Sequence, residues 1–175
     1  MTYSSNTHLV VIPTYNEVEN IRSFLDTLLE FDISVLIVDD NSPDGTGKVV
    51  EELVKSFSKL HLLKRSRKLG LGSAYRDGFS WGLDNKFSYL IEMDADFSHR
   101  FKDLHKILDS SKTSDVVIGS RYIKGGGSSG WDARRKLLSK SANFVSRLLL
   151  KTRTKDMTSG FRCYSEESLN KIKFK

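Results

Sequence analysis

Short, nearly uninterrupted apolar runs recur along the chain, and stretches with apolar residues every three or four positions separate them. Residues 8–12 (HLVVI) form the first such run, and Pro13 is expected to end it. Asn16 then offers a helix cap, and Glu19, three positions on, completes a capping box. Val18, Ile21, Phe24, Leu25 and Leu28 make the buried stripe of that helix. A second strand at 35–38 runs into the turn-rich stretch 39–47 (DDNSPDGTG), after which Val49, Val50, Leu53, Val54 and Phe57 mark another helix. A third strand at 60–63 precedes KLGLGSAY (68–75) and a helix reaching Trp81 or Leu83. A fourth strand at 89–93 is followed by a short helix packed through Phe101, Leu104, Ile107 and Leu108, and a fifth strand lies at 116–118. Apolar strands alternating with helices predict an α/β fold, a mainly parallel central sheet flanked by helices.

The order loosens afterwards. Residues 125–130 (GGGSSG) read as a mobile loop. The next helix gathers Leu137, Leu138, Ser141, Phe144, Val145, Leu148 and Leu149 on one broad face and Lys136, Lys140, Arg147 and Lys151 on much of the other. A last helix starts at Ser165. The basic ending has no evident closing element, so residues 1–175 are expected to form one domain, cut short or unusually brief at its C-terminal side. A chain of 175 residues supports one substantial core. With 38% hydrophobic and 29% charged residues, it is globular rather than disordered. No apolar run approaches the roughly 20 residues that span a bilayer, and no secretory leader is expected. The single cysteine, Cys163, rules out an intrachain disulfide framework and suits a reducing compartment.

In a parallel α/β sheet, ligands favour the crevice beyond the strand C-termini. Four polar sets fall there: PTYNE (13–17), DDNSP (39–43), DAD (94–96) and SR (120–121). None is a Walker loop or a GxGxxG fingerprint, which moves a generic ATPase or NAD-dependent dehydrogenase down the list. Asp94 and Asp96 are two residues apart, so an extended strand would turn both carboxylates to one face. Their repulsion is relieved by Mg2+ or Mn2+, hard cations that take oxygen donors and bridge phosphates. The bland alternative is a pair of caps or turn residues. No Cys/His set suggests zinc. The formal charge is +6, and residues 134–155 hold eight Lys or Arg and no Asp or Glu. Acidic loops at the strand ends nonetheless argue against nucleic acid as the partner.

Six stretches carry a specific resemblance: VIPTYNEVEN (11–20), VDDNSPDGT (38–46), LGLGSAY (69–75), MDADFSH (93–99), GSR (119–121) and TSGFR (158–162). In this order they resemble the catalytic domain of family 2 glycosyltransferases, nearest to the dolichyl-phosphate (polyprenyl-phosphate) mannosyltransferases. The resemblance implies a GT-A nucleotide-sugar-binding fold and inverting transfer of mannose from GDP-mannose to a polyprenyl or dolichyl phosphate. It places Pro13, Tyr15 and Glu17 in the nucleotide pocket, Asp39 near the base, Asp40 near the ribose and Lys68 near the nucleotide. Asp94, Ala95 and Asp96 become the metal-associated DAD sequence. The position two beyond the second Asp, a Gln in some members, is Ser98 here. Arg121, Arg135 and Ser139 fall where the family handles phosphate, with Arg134 competing for the role of Arg135. Asp156 and Arg162 lie near the sugar and acceptor, Asp156 either in direct contact, fixing a loop or orienting Arg162. His99 is read as structural or supporting, Glu92 as strand surface or a local ion pair, and Tyr75 as packing.

A lipid phosphate already carries nucleophilic oxygen near neutral pH, so a strong general base is not required. UDP-glucose:polyprenyl-phosphate glucosyltransferase is the enzymatic alternative, and a non-catalytic nucleotide-sugar-binding module the other. Such chemistry implies a peripheral position on the cytosolic side of a membrane, the endoplasmic reticulum in a eukaryote or the inner membrane in a prokaryote. Contact with the membrane surface would come through the basic helix or an anchoring subunit.

Overall fold

The structure is a computed structural model, which describes residues 7–127 and 132–172. Six strands form one sheet in the order β3-β2-β1-β4-β6-β5. They are β1 (His8–Thr14), β2 (Ser34–Asp39), β3 (Leu60–Lys64), β4 (Tyr89–Glu92), β5 (Val116–Ile118) and β6 (Arg162–Ser165). The pairs β1–β2, β2–β3 and β1–β4 are parallel. β6 runs antiparallel to both of its neighbours. The helices are α1 (Val18–Leu28), α2 (Thr46–Val54), α3 (Leu71–Asp84), α4 (Phe101–Ser111), α5 (Ala133–Leu150) and α6 (Glu166–Ile172).

The apolar runs become central strands because both faces of the sheet are covered. Along β1, Val10 and Ile12 enter the core beneath α1, α2 and α4, while Leu9 and Val11 enter the core beneath α3 and α6. Alternation therefore vanishes from the sequence: Leu9 through Ile12 are all fully buried. α3 lies especially close to the sheet. A Cβ added at Gly78 would collide with Val11 and stand 3.1 Å from Val38 Cγ2.

Three departures from the sequence expectation have physical causes. β1 continues through Pro13 to Thr14, because β4 pairs with it only as far as Val11. Beyond that point β1 is open on one side, where a proline is tolerated. The capping box does not form. Asn16 takes a left-handed turn (φ 62°), Glu17 occupies the cap position without a side-chain cap bond, and Val18 N–H donates instead to Asp44 Oδ2 at 3.0 Å. β6 was not expected at all. It fills the edge that β4 would otherwise expose, in the register Glu92↔Arg162 and Ile91↔Cys163. Cys163 is buried there, and burial pushes its thiol up to about 12.

Near the opposite end of β1, His8 is 5% exposed and stacks on Tyr89 at 4.6 Å. The Ser111 hydroxyl donates to the Leu108 carbonyl, so the His8 Nε2–H donates to Ser111 Oγ (3.0 Å) and Nδ1 accepts from Thr7. This network fits the neutral ring. Burial, reinforced by Lys112, depresses its pKa from 6.5 to about 4.

Two tests follow from this packing. Gly78→Ala gains helix propensity but must displace Val11, and overpacking prevails. A net loss of about 1–2 kcal/mol is expected in urea unfolding. For His8 the folded state resists protonation more than the unfolded one, so its contribution is complete above pH 6.5 and is lost as the pH falls toward 4. Wild type should lose up to about 3 kcal/mol through this group over that window, and His8→Gln should flatten the stability profile there.

Candidate active site

The C-terminal ends of β1, β2 and β4 open onto one rim, and hydrogen bonds between their loops hold it together. Asn16 N–H donates to Ser42 Oγ (3.1 Å), and Glu17 N–H to Thr46 Oγ1 (2.9 Å). The two turn-rich stretches 13–18 and 39–47 thus cap each other, a use of Asp44 and Thr46 that no local pattern announces. Asp39 serves this scaffold. It is 3% exposed and accepts from Thr14 Oγ1 (3.1 Å), Ser42 N (3.0 Å) and Ser42 Oγ (2.5 Å). It is not among the residues that line the cleft.

The cleft has a volume of about 250 Å³. Pro13, Tyr15 and Glu17 line it from the first loop and Asp40 from the second. Lys68 enters from the segment before α3, and Asp94, Ala95 and Asp96 from the segment after β4. Lys68 Nζ stands 3.7 Å above the centre of the Tyr15 ring, a cation–π contact across the cleft. Asp40 is anchored through both oxygens. Oδ2 accepts from the backbone of Leu69 (3.2 Å) and Gly70 (3.3 Å), while Oδ1 lies 2.9 Å from the guanidinium of Arg65.

The DAD segment is not an extended strand. β4 stops at Glu92, and the chain bends through 95–97 with Phe97 at φ 57°. Both aspartates still reach the cleft, but by a turn rather than by strand alternation. Tyr75 Oη donates to Asp94 Oδ1 at 3.0 Å, so this tyrosine does more than pack. Burial and the Asp94 charge raise its pKa, which keeps the phenol a donor. His99 Nε2 lies 3.3 Å from Asp94 Oδ2 and its ring stacks on Phe161. Gly160 passes so close that a Cβ there would stand 3.0 Å from Asp94 Oδ2. Asp96 Oδ1 accepts from the Ser98 backbone at 3.0 Å. Burial raises the Asp96 pKa, the Ser98 hydrogen bonds lower it, and the net direction is downward. Beside them, burial pushes Glu92 up to about 7 against the opposing charge of Arg162. Among the described residues no three His, Cys, Asp or Glu side chains form a ready-made metal cage. Asp94 and Asp96 at the cleft edge would suit a hard divalent cation that takes its remaining oxygen ligands from outside the protein.

The other expected residues form a separate cluster. Arg121 makes a two-pronged pair with the fully buried Asp156: Nε to Oδ2 at 2.8 Å and Nη2 to Oδ1 at 2.6 Å. Nη2 also reaches Thr158 Oγ1 at 2.6 Å. Asp156 therefore orients Arg121, not Arg162. Arg162 Nη2 instead donates to the Met157 carbonyl (2.7 Å), and its Nη1 to Tyr164 Oη (3.3 Å). Ser139 Oγ accepts from Tyr122 Oη at 2.7 Å, and Asn143 ties Ser139 O to Thr158 and Met157. The Arg135 and Lys136 side chains lie outside the described residues. A shallow cleft of about 500 Å³, with Tyr122, Lys140, Asn143 and Arg147 among its walls, adjoins this cluster. The apolar face of α5 is open, with Leu138 71% and Leu149 73% exposed. No helix among the described residues is long and apolar enough to cross a membrane.

Asp156 is the point at which this second cluster is most vulnerable. Burial raises its pKa, but the hydrogen bonds and charge of Arg121 prevail and hold it below the ordinary value of 3.8. Its contribution is present above the unfolded value and lost as the pH falls through the folded one. Asp156→Asn should cost about 3 kcal/mol at pH 7 and should weaken the acid dependence of thermal unfolding below pH 4.

The model of "Glycosyl transferase family 2" matches residues 9–173. Polyprenol monophosphomannose synthase of Mycolicibacterium smegmatis is 45% identical over 168 residues, covering 94% of this chain and 63% of its own. Undecaprenyl-phosphate mannosyltransferase of Micrococcus luteus is 40% identical over 166 residues, covering 94% of this chain and 68% of its own. The chain thus spans about two thirds of the length of these relatives, 63% and 68%. The mannosyltransferase PcManGT of Pyrobaculum calidifontis, solved in complex with GDP-Man and Mn2+, shares the GT-A-like α/β fold. Its TM-score is 0.64 at 18% identity, over 98% of this chain and 49% of that one. A family model that matches nearly the whole of this chain, with relatives this similar, shows that the chain belongs to glycosyl transferase family 2.

Proposed function

We propose that this chain carries the catalytic domain of a GDP-mannose:polyprenyl-phosphate mannosyltransferase that inverts the anomeric configuration and works with Mg2+ or Mn2+. The observation that carries the reading is the convergence of Pro13, Tyr15, Glu17, Asp40, Lys68 and the DAD segment on one cleft at the strand C-termini. The names of the two relatives supply the polyprenyl-phosphate class, and both share this chain across 94% of its length.

Tyr15 and Glu17 bind the nucleoside, and Asp40 accepts from the ribose hydroxyls. Asp39 supports them through its bonds to Thr14 and Ser42. Asp94 and Asp96 would hold the metal, which neutralises charge on the diphosphate. Tyr75 and His99 fix the Asp94 carboxylate, so its geometry does not have to form at the moment of reaction. Arg121, with Arg135 and Ser139, receives the acceptor phosphate, and Asp156 holds the Arg121 fork. Arg162 supports the acceptor side through the Met157 carbonyl. A phosphate oxygen of the lipid forms the new bond to the sugar's anomeric carbon as the bond to the GDP oxygen breaks. GDP leaves with that electron pair, and direct displacement gives a β-linked lipid-phosphate mannose.

The acceptor also sets the location. A lipid phosphate keeps the enzyme at the cytosolic face of a membrane, and the open apolar face of α5 with its neighbouring Lys140, Arg147 and Lys151 suits that surface. An anchoring partner is compatible with the same arrangement.

The test is a donor panel with polyprenyl phosphate in vesicles. Mannose transfer from GDP-mannose should require Mg2+ or Mn2+, stop with a chelator and give a β-linked product. Asp94→Asn and Asp96→Asn should each lower kcat by at least about 100-fold. Preference for UDP-glucose would replace the sugar assignment, retention would overturn direct displacement, and donor binding without turnover would favour a binding module.

A further inference from the structure

Arg65 lies outside every stretch that pointed to function, one residue beyond β3 in the charged run KRSRK (64–68). Its composition reads as solvated surface. The structure buries it instead: Arg65 is 8% exposed, with only 5% of its side chain accessible. Its backbone N–H donates to the Asp39 carbonyl at 2.9 Å, which carries the β2–β3 pairing one residue further. The guanidinium then spans three parts of the rim. Nη1 lies 2.9 Å from Asp40 Oδ1 and 3.5 Å from the Gly70 carbonyl, and Nη2 donates to Ser73 Oγ at 2.6 Å. Nε stands 3.2 Å from Asp77 Oδ2, whose side chain is 45% exposed.

The Asp40 side chain is only 7% exposed and yet lines the cleft. A carboxylate so placed needs a nearby positive charge, and removing that charge leaves it unpaired. The contact between Arg65 Nη1 and Asp40 is electrostatic rather than an aligned hydrogen bond, since Asp40 Oδ1 has no aligned partner, and the same holds for Arg65 Nε beside Asp77. Directional bonds from Arg65 go to the segment that enters α3. That same segment donates the Leu69 and Gly70 N–H groups to Asp40 Oδ2 and carries Lys68 to Tyr15. Arg65 itself does not line the cleft.

We propose that Arg65 is a positioning residue for the nucleotide, acting through Asp40 and the Lys68–Gly70 segment without touching the ligand. The inference rests on the cleft being a nucleoside-diphosphate site. Its guanidinium balances the Asp40 charge and sets the distance between the β2 end and the α3 entrance, so the wall carrying Asp40 is built before any ligand arrives. The group recognised is the ribose diol, for which a fixed carboxylate is the acceptor.

The test is a double-mutant cycle on the full chain, with GDP and Mn2+ as the probe in calorimetric titration and 2′,3′-dideoxy-GDP for comparison. Arg65→Gln should weaken GDP binding about 10-fold or more and shrink the preference for GDP over the dideoxy analogue. In an Asp40→Asn background, Arg65→Gln should add less than about 3-fold, because the pathway through Asp40 is already gone. Arg65→Lys retains charge but cannot span Asp40, Gly70 and Ser73 together. It should weaken GDP binding at least about 3-fold with a Tm close to wild type, which covers the case in which Arg65→Gln does not fold. The donor KM should rise in the lysine variant more than kcat falls. Wild-type affinity in Arg65→Lys, or full additivity in the cycle, overturns the inference alone. A wild-type chain that binds no nucleoside diphosphate overturns the reading of the cleft, and this inference with it.

Discussion

Parallel pairing on both sides of β1 is the constraint from which the site descends. Because β2 and β4 run in the same direction as β1, their C-terminal ends arrive at one rim and their loops must share it. The register settles how they share. Thr14 lies opposite Asp39, so the loop after β1 meets the loop after β2 at once, and each supplies the hydrogen bonds that the other lacks. The interiors of β1 and β2 are apolar on both faces, so their polar chemistry collects at the strand ends.

This rim concentrates negative charge, and the protein handles its carboxylates in three ways. Asp39 is absorbed into loop structure. Asp40 is paired with a buried cation. Asp94 is held by a phenol and an imidazole, neither of which supplies a permanent positive charge. The last case leaves the DAD segment as the part of the rim still open to an incoming cation, and the second cluster repeats the second solution with Arg121 and Asp156. Rigidity is thereby distributed unevenly. The cleft at the ends of β1 and β2 is braced by backbone hydrogen bonds, whereas the second cluster depends on side chains from 121, 139, 143 and 156–158 that lie far apart in the chain.

What could be read from the sequence follows the same division. Strands buried on both faces write themselves as apolar runs, so β1 through β5 and their helices were legible, as was the gathering of PTYNE, Asp40 and DAD. The cap of α1 was not, because Asp44 is remote in sequence and a local Asn16–Glu19 pattern imitates it. Arg65 was hidden among other basic residues, and nothing in a linear charge run tells a buried guanidinium from a solvated one. Tyr75 belongs to the buried stripe of α3 with Gly78, Phe79 and Gly82, and nothing in that spacing marks its hydroxyl as a partner of Asp94. β6 has four residues, begins with a charged one, and owes its existence to the vacant edge of β4 rather than to its own propensity.

That small antiparallel strand has a consequence for how the molecule comes into being. β1 through β4 can pair as soon as they leave the ribosome, but the far edge of β4 stays uncovered until residues 162–165 emerge some seventy positions later. During that interval the nascent sheet presents unpaired backbone groups, the geometry that invites edge-to-edge association. Synthesis therefore builds the cleft at the ends of β1 and β2 first and the Arg121–Asp156 cluster last, and the strand that closes the sheet also delivers the Asp156–Arg162 segment to its place. Chaperone protection during translation would matter most over this stretch of the chain.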